Sequence, residues 1–277
     1  MCRLFGLSAG PHRVHATFWL LDAPDSLQFQ GRRNPDGTGL GHFTAAGEPV
    51  VDKEPVAAYS DVEFIREAKT VESTTFVAHV RVATTGELRT ENTHPFAMDG
   101  RVMAHNGGFE GLGALEAELG DAMAMVQGDT DSERYMALVT REIDRHDGDV
   151  GAGISAAAGW LAAHVPLFSL NLVLATPTDL WALRYPDHHR LYVLDRAAGG
   201  PADGAGLRAR GELMEVTSDH PHRSVVVASE PMDGHDDWRL MDSGELVHVH
   251  EDLTVTSSLA LPDPPAVRAE DPLPYVP

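Results

Sequence analysis

The chain holds a single cysteine, and it is the second of 277 residues. Directly behind it stands Arg3-Leu4-Phe5-Gly6-Leu7-Ser8-Ala9, mostly apolar and without proline, which predicts a buried strand over residues 3–9. That fixes Cys2 at a strand end. One cysteine also excludes an intrachain disulfide framework and a multi-cysteine zinc site, and it fits a reducing compartment. If Met1 is removed, Cys2 becomes the N-terminus and carries a nucleophilic sulfur and an α-amino group on one residue. Such an amine titrates near ~7.7–8.0 and serves as a general base at neutral pH. The plainer alternative for a lone free cysteine is a small core hydrophobe. The rest of the chain has to decide between them.

Several function classes fall to composition. With 21 Lys and Arg against 42 Asp and Glu, the net charge of −21 repels nucleic acid and anionic membrane. No basic segment followed by an apolar one opens the chain, and no apolar run approaches the ~20 residues that span a bilayer. The expectation is a cytoplasmic protein without nucleic-acid or membrane partners.

Along the chain, Gly31-Arg32-Arg33-Asn34-Pro35-Asp36-Gly37 is a turn by residue chemistry, followed by a strand over Thr38–Phe43. A short helix is predicted over residues 60–69. Strands are predicted over Thr74–Val82, rich in β-branched and aromatic residues, and over Arg101–Ala104, ending at His105-Asn106-Gly107-Gly108. Phe109–Leu119 carries an amphipathic face through Leu112, Leu115 and Leu119. Thr130-Asp131-Ser132-Glu133 is a capping box heading a helix in which Tyr135, Leu138, Val139 and Ile143 recur, so Asp131 falls in the first helical turn. A further helix is predicted over Ile154–His164. The remaining segments are strands: Phe168–Thr176, Leu180–Arg184, Arg190–Leu194, Leu213–Thr217, Ser224–Ser229, Leu246–His250 and Leu253–Thr256. Their short spacing predicts antiparallel hairpins. Ala197–Gly206 reads as a mobile loop. Six prolines between Pro262 and Pro277 predict an extended tail, leaving one domain over residues 1–261.

Four separated pieces, Cys2, Arg81-Val82-Ala83-Thr84-Thr85-Gly86, His105-Asn106-Gly107 and Thr130-Asp131-Ser132-Glu133, together resemble the class II glutamine amidotransferases. In that family a terminal cysteine attacks the side-chain amide of glutamine. The resemblance implies an α+β fold, the four-layer αββα sandwich of the N-terminal-nucleophile hydrolases. It also implies roles. A γ-glutamyl substrate presents an α-carboxylate, an α-ammonium and a carbonyl that becomes a tetrahedral oxyanion. Arg81 would clamp the carboxylate through its planar fork, with Thr84 beside it. Asp131 would pair with the ammonium; its structural alternative is a carboxylate favoured by the helix N-terminus. The Asn106 side chain and the Gly107 backbone N–H would hold the oxyanion, although Asn-Gly alone reads as an ordinary turn.

Arg3 either lowers the pKa of the neighbouring thiol or is a surface arginine. Asn34-Pro35-Asp36-Gly37-Thr38-Gly39 and Ser229-Glu230-Pro231 resemble signatures of the stand-alone branch, in which ergothioneine-pathway γ-glutamyl hydrolases also begin Met-Cys-Arg. Large synthase members read Cys-Gly-Ile and Arg-Trp-Ala-Thr-His-Gly where this chain has Arg3-Leu4, Val82 and Thr85. A different glutamine lid and room for a bulkier γ-glutamyl substrate follow. Among the 15 histidines, His188-His189 and His220-Pro221-His222 lack cysteine partners and helical metal spacing, and read as surface residues. The chemistry implied needs no metal or organic cofactor. Its substrate is glutamine or a γ-glutamyl conjugate. The alternatives are a glutaminase delivering ammonia to a separate synthase subunit, and a binding module without turnover.

Overall fold

The run behind Cys2 forms strand β1 (Arg3–Ser8), and its alternation sets the layers. Leu4 points into a core shared by two sheets, with Val77, Val173 and Val227, while Phe5 and Leu7 point away to Phe18, Trp19 and Leu27. The structure is a computed structural model that describes residues 2–83, 86–196, 207–210, 215–218 and 222–270.

Helix α1 (Leu27–Gln30) precedes β2 (Gly37–Phe43) and β3 (Pro49–Glu54). Next come α2 (Val62–Thr70), β4 (Thr75–Arg81), β5 (Phe96–Met98) and β6 (Arg101–Phe109). The helical block is α3 (Leu112–Leu119), α4 (Asp131–Arg145) and α5 (Val150–His164). It leads into β7 (Leu167–Ala175), β8 (Leu180–Arg184), β9 (Tyr192–Arg196), β10 (Leu207–Arg210) and β11 (Glu215–Ser218). Last are β12 (Ser224–Ala228), β13 (Arg239–Leu240), β14 (Glu245–Val249) and β15 (Val255–Leu259).

One sheet runs β13-β9-β12-β1-β4-β2-β3 and the other β15-β14-β8-β7-β6-β5, with β10-β11 a separate hairpin. All pairings within named strands are antiparallel. Three apolar cores separate four layers. Leu40, Phe76 and Ala78 pack outward against α1 and α2. Val102, Ala104, Ala182 and Val247 fill the space between the sheets. Leu170, Leu172 and Leu174 meet α3–α5 through Leu115, Leu138, Val139 and Leu161. The architecture is an α+β αββα sandwich.

The departures from the sequence expectations have local causes. Strand β6 does not stop at Ala104. It continues through Asn106 and Gly107, which pair with Asn171 and Leu170. Glycine is required there because a Cβ on Gly107 would lie 1.9 Å from the Ser169 carbonyl oxygen. Phe109 therefore ends a strand rather than beginning α3, and Gly111, with φ of +78°, turns the chain into the helix. Helix α5 starts four residues earlier than expected, capped by Asp149, whose side chain accepts from Ala152 N at 2.9 Å. The glycines that obscured its start have a packing reason: a Cβ on Gly153 would sit 2.4 Å from Ile143 Cγ1 of α4. His189 is buried rather than on the surface, because its carbonyl accepts from Arg184 Nε and Asn171 Nδ2. The Ala197–Gly206 loop and the first two residues of the expected Leu213–Thr217 strand lie outside the described residues, and the remainder of that strand lies in β11. Residues 266–269 lie along the start of β7, with Leu167 N donating to Val267 O and Ala269 N to Leu167 O.

Candidate active site

Cys2 sits just ahead of β1, half-buried, beside the end of β4. Strand β1 pairs with β4 so that Arg3 opposes Val80, which places Cys2 beside the residues that follow Arg81. The sulfur accepts from Val82 N at 3.2 Å and contacts Val82 O at 3.4 Å. Crowding by protein pushes the thiol pKa up. The Val82 backbone N–H and the charges of Arg81 and Arg3 act in the opposite direction without overcoming it. At neutral pH the resting thiol is protonated, so attack requires a base.

From the second sheet, β6 brings Asn106. Its Nδ2 donates to the Cys2 carbonyl at 2.9 Å and lies 3.5 Å from Ser229 Oγ. Asn106 is buried, and Gly107 next to it is half-buried. Arg81 is buried at the end of β4, opposite Gly37 of β2. Desolvation lowers its pKa, opposed by the nearby Cys2, Asp36 and Asp131. Cation, anion and sulfur therefore share one neighbourhood.

Asp131 opens α4, where Thr130 Oγ1 accepts from Glu133 N at 3.3 Å, as the capping box predicts. The return half differs. Glu133 does not reach back to the cap; it accepts from Gln127 N and Gly128 N, at 3.1 and 2.6 Å. The Asp131 carboxylate accepts from Ser132 N at 2.8 Å and from Phe109 N at 3.3 Å, so it also ties α4 to the end of β6. His105, on the helix side of β6, bonds Ser132 Oγ at 2.9 Å and the Ser169 carbonyl at 3.1 Å. Thr84 lies outside the described residues.

The fold adds residues to which sequence reasoning gave no role. Asp36 accepts from Ala83 N at 2.9 Å, and its own N–H donates to Arg81 O at 3.0 Å, clamping the segment that carries the arginine. Ser229 Oγ accepts from Leu4 N at 2.9 Å while Ser229 N donates to Leu4 O at 3.1 Å, holding β1 from its other side. Arg3, for which the sequence offered a thiol-tuning or a surface role, is not a surface residue: its charge acts to lower the Cys2 pKa, and it also pairs with Glu230 and donates to the Cys2 carbonyl at 3.3 Å. Both signature stretches, Asn34–Gly39 and Ser229–Pro231, thus brace the cysteine and its neighbours.

A family model described as class II glutamine amidotransferases matches residues 1–270. The chain belongs to this family. It is similar to the putative glutamine amidotransferase YafJ of Escherichia coli, 27% identical over 88% of this chain and 96% of that one. In fold it is similar to a glutamine aminotransferase class-II domain protein from Silicibacter pomeroyi, with a TM-score of 0.62 at 20% identity, over 93% and 98% of the two chains. It also resembles the glutamine phosphoribosylpyrophosphate amidotransferase of Bacillus subtilis, with a TM-score of 0.66 at 17% identity. That match covers 95% of this chain but only half of the larger one. No helix among the described residues is long and apolar enough to cross a membrane.

Proposed function

We propose that this amidotransferase cleaves glutamine or a γ-glutamyl amide through Cys2 after removal of Met1. The observation that carries the reading is the position of the Cys2 sulfur on Val82, with Arg81 immediately before Val82 and the Asn106 amide 2.9 Å from the Cys2 carbonyl. The Cys2 amine takes the thiol proton as sulfur attacks the amide carbon. The oxyanion is held by Asn106 Nδ2 and the Gly107 N–H. Collapse of this intermediate breaks the C–N bond, and the amine hands its proton to the departing nitrogen. Water then hydrolyses the thioester, releasing glutamate and restoring the thiol.

Arg81 faces the substrate carboxylate and Asp131 the ammonium. Asp131 needs no new conformation for this, since α4 and β6 already fix it; its structural and binding roles coexist. Screening γ-glutamyl amides for glutamate release tests the reading, with alkylation of Cys2 by a glutamine-analogue electrophile as the companion measurement. Turnover by the protein alone supports hydrolysis. Turnover appearing only with cell extract supports ammonia delivery to a separate synthase subunit, a reading favoured by the match to half of the Bacillus subtilis enzyme. Neither turnover nor labelling, in protein shown to begin at Cys2, would leave a binding module.

Arg81→Lys keeps the charge but loses the fork, so KM for glutamine is expected to rise roughly 10–100-fold with kcat less affected. An analogue lacking the α-carboxylate should be processed equally by both proteins. Equal losses on both substrates would remove Arg81 from the carboxylate.

A further inference from the structure

At the end of the second sheet remote from Cys2, the sequence Val247-His248-Val249-His250 alternates as a strand should. Val247 and Val249 enter the core between the sheets, so the two histidines share the opposite face, toward α5. Register brings a third group alongside. Val249 pairs with Leu180, the first residue of β8, and Asp179 stands immediately before it in a turn closed by Thr176. His248 Nε2 lies 2.8 Å and His250 Nδ1 4.0 Å from the same oxygen, Asp179 Oδ1. One ligand atom from each residue falls within 4.8 Å of the others, and all three residues are half-buried.

The surroundings aim these groups. The ring of His248 stacks on Trp181 at 4.4 Å and 16°. His250 Nε2 bonds Thr256 Oγ1 of β15 at 3.1 Å, which leaves Nδ1 directed at Asp179. Thr178 Oγ1 holds the other carboxylate oxygen. Hydrogen bonds of this kind, to the distal nitrogen of a histidine and to a carboxylate, are what orient metal ligands. A simple ion pair explains one imidazole beside Asp179. A second imidazole stands with its ring centroid 3.7 Å from the first and its Nδ1 4.0 Å from the same carboxylate oxygen. A cavity of about 420 Å³ lies against the His248 side of the group, lined in part by Asp149, Trp181, His248 and Thr256.

We propose that Asp179, His248 and His250 form a site for a divalent first-row transition ion of the Zn²⁺ type, separate from the amide chemistry. With bonds of ~2.0–2.2 Å, tetrahedral ligands stand roughly 3.4 Å apart, so closing the site asks His250 Nδ1 to approach Asp179 Oδ1 from 4.0 Å, His248 Nε2 to withdraw from 2.8 Å, and the two rings to splay from their 3.7 Å stack. Water completes the coordination. Bound there, the ion staples the turn before β8 to the end of β14, leaving glutamine turnover untouched.

The test is calorimetric titration of the full-length, metal-stripped protein with ZnCl₂ and, in parallel, MgCl₂, repeated in Cys2→Ala protein so that the thiol contributes nothing. The expected result is one Zn²⁺ per chain at micromolar affinity and no Mg²⁺ binding. His248→Ala, His250→Ala and Asp179→Asn should each weaken binding at least ~10-fold, and Thr256→Val ~10–100-fold as an outer partner. Circular dichroism shows which variants fold; any folded one of the three ligand substitutions is decisive. Absence of saturable 1:1 binding below ~100 µM Zn²⁺, or undiminished affinity in a folded ligand variant, overturns the site.

Discussion

A tag left ahead of Cys2 is expected to lower turnover by roughly 10⁴-fold or more without unfolding the protein. The thiol is held in its neutral form by the crowding around it, so a base must take its proton before or during attack. In the proposed mechanism that base is the α-amine of the same residue, which an extension converts into an amide with no basic lone pair. Stability should survive because β1 pairing begins at Arg3 and the ladder loses no partner. Intact mass establishes that the extension is still present, and thermal unfolding checks the fold. Cys2→Ser should retain a trace of activity, since the hydroxyl is a poorer nucleophile while amine and oxyanion donors persist. Undiminished hydrolysis by a blocked, uncleaved protein would sink the mechanism.

Asn106→Ala should reduce kcat by ~10²–10³ with little change in KM, the signature of a donor used mainly in the transition state. In the resting protein this amide donates to the Cys2 carbonyl and approaches Ser229, so it also helps seat the nucleophile. The two roles separate in the kinetics. If bracing were its whole task, the loss would fall on melting temperature and on kcat and KM together. Asn106→Asp sharpens the contrast, because it keeps the size but puts an acceptor and a negative charge where the oxyanion forms. A kcat within a few fold of wild type in either variant would exclude Asn106 from the oxyanion site.

Much of this site was legible before the fold. The apolar run behind Cys2, the capping box before α4 and the order of the short motifs locate cysteine, arginine and aspartate at element ends, because local patterns report strand and helix termini directly. Asn106 was identified but misplaced. Asn-Gly is turn chemistry by propensity, whereas here glycine serves the close approach of β7, a fact that depends on Ser169, 62 positions away. Asp36 and Ser229 illustrate a different limit. Their partners, Ala83 and Leu4, are 47 and 225 positions distant, and no periodicity carries such information. The pair His248 and His250 became meaningful only when register set Asp179 beside them.

The place of β1 bears on how the polypeptide is made. It is an inner strand, flanked by β4 on one side and by β12 on the other, with Phe5 opposite Ala228. During translation Phe5 must wait for a partner about 220 residues downstream, roughly 10–45 s at ordinary elongation speed. Over that interval the beginning of the nascent chain cannot be locked into its finished sheet, and a ribosome-associated aminopeptidase has time to reach Met1 before β12 arrives.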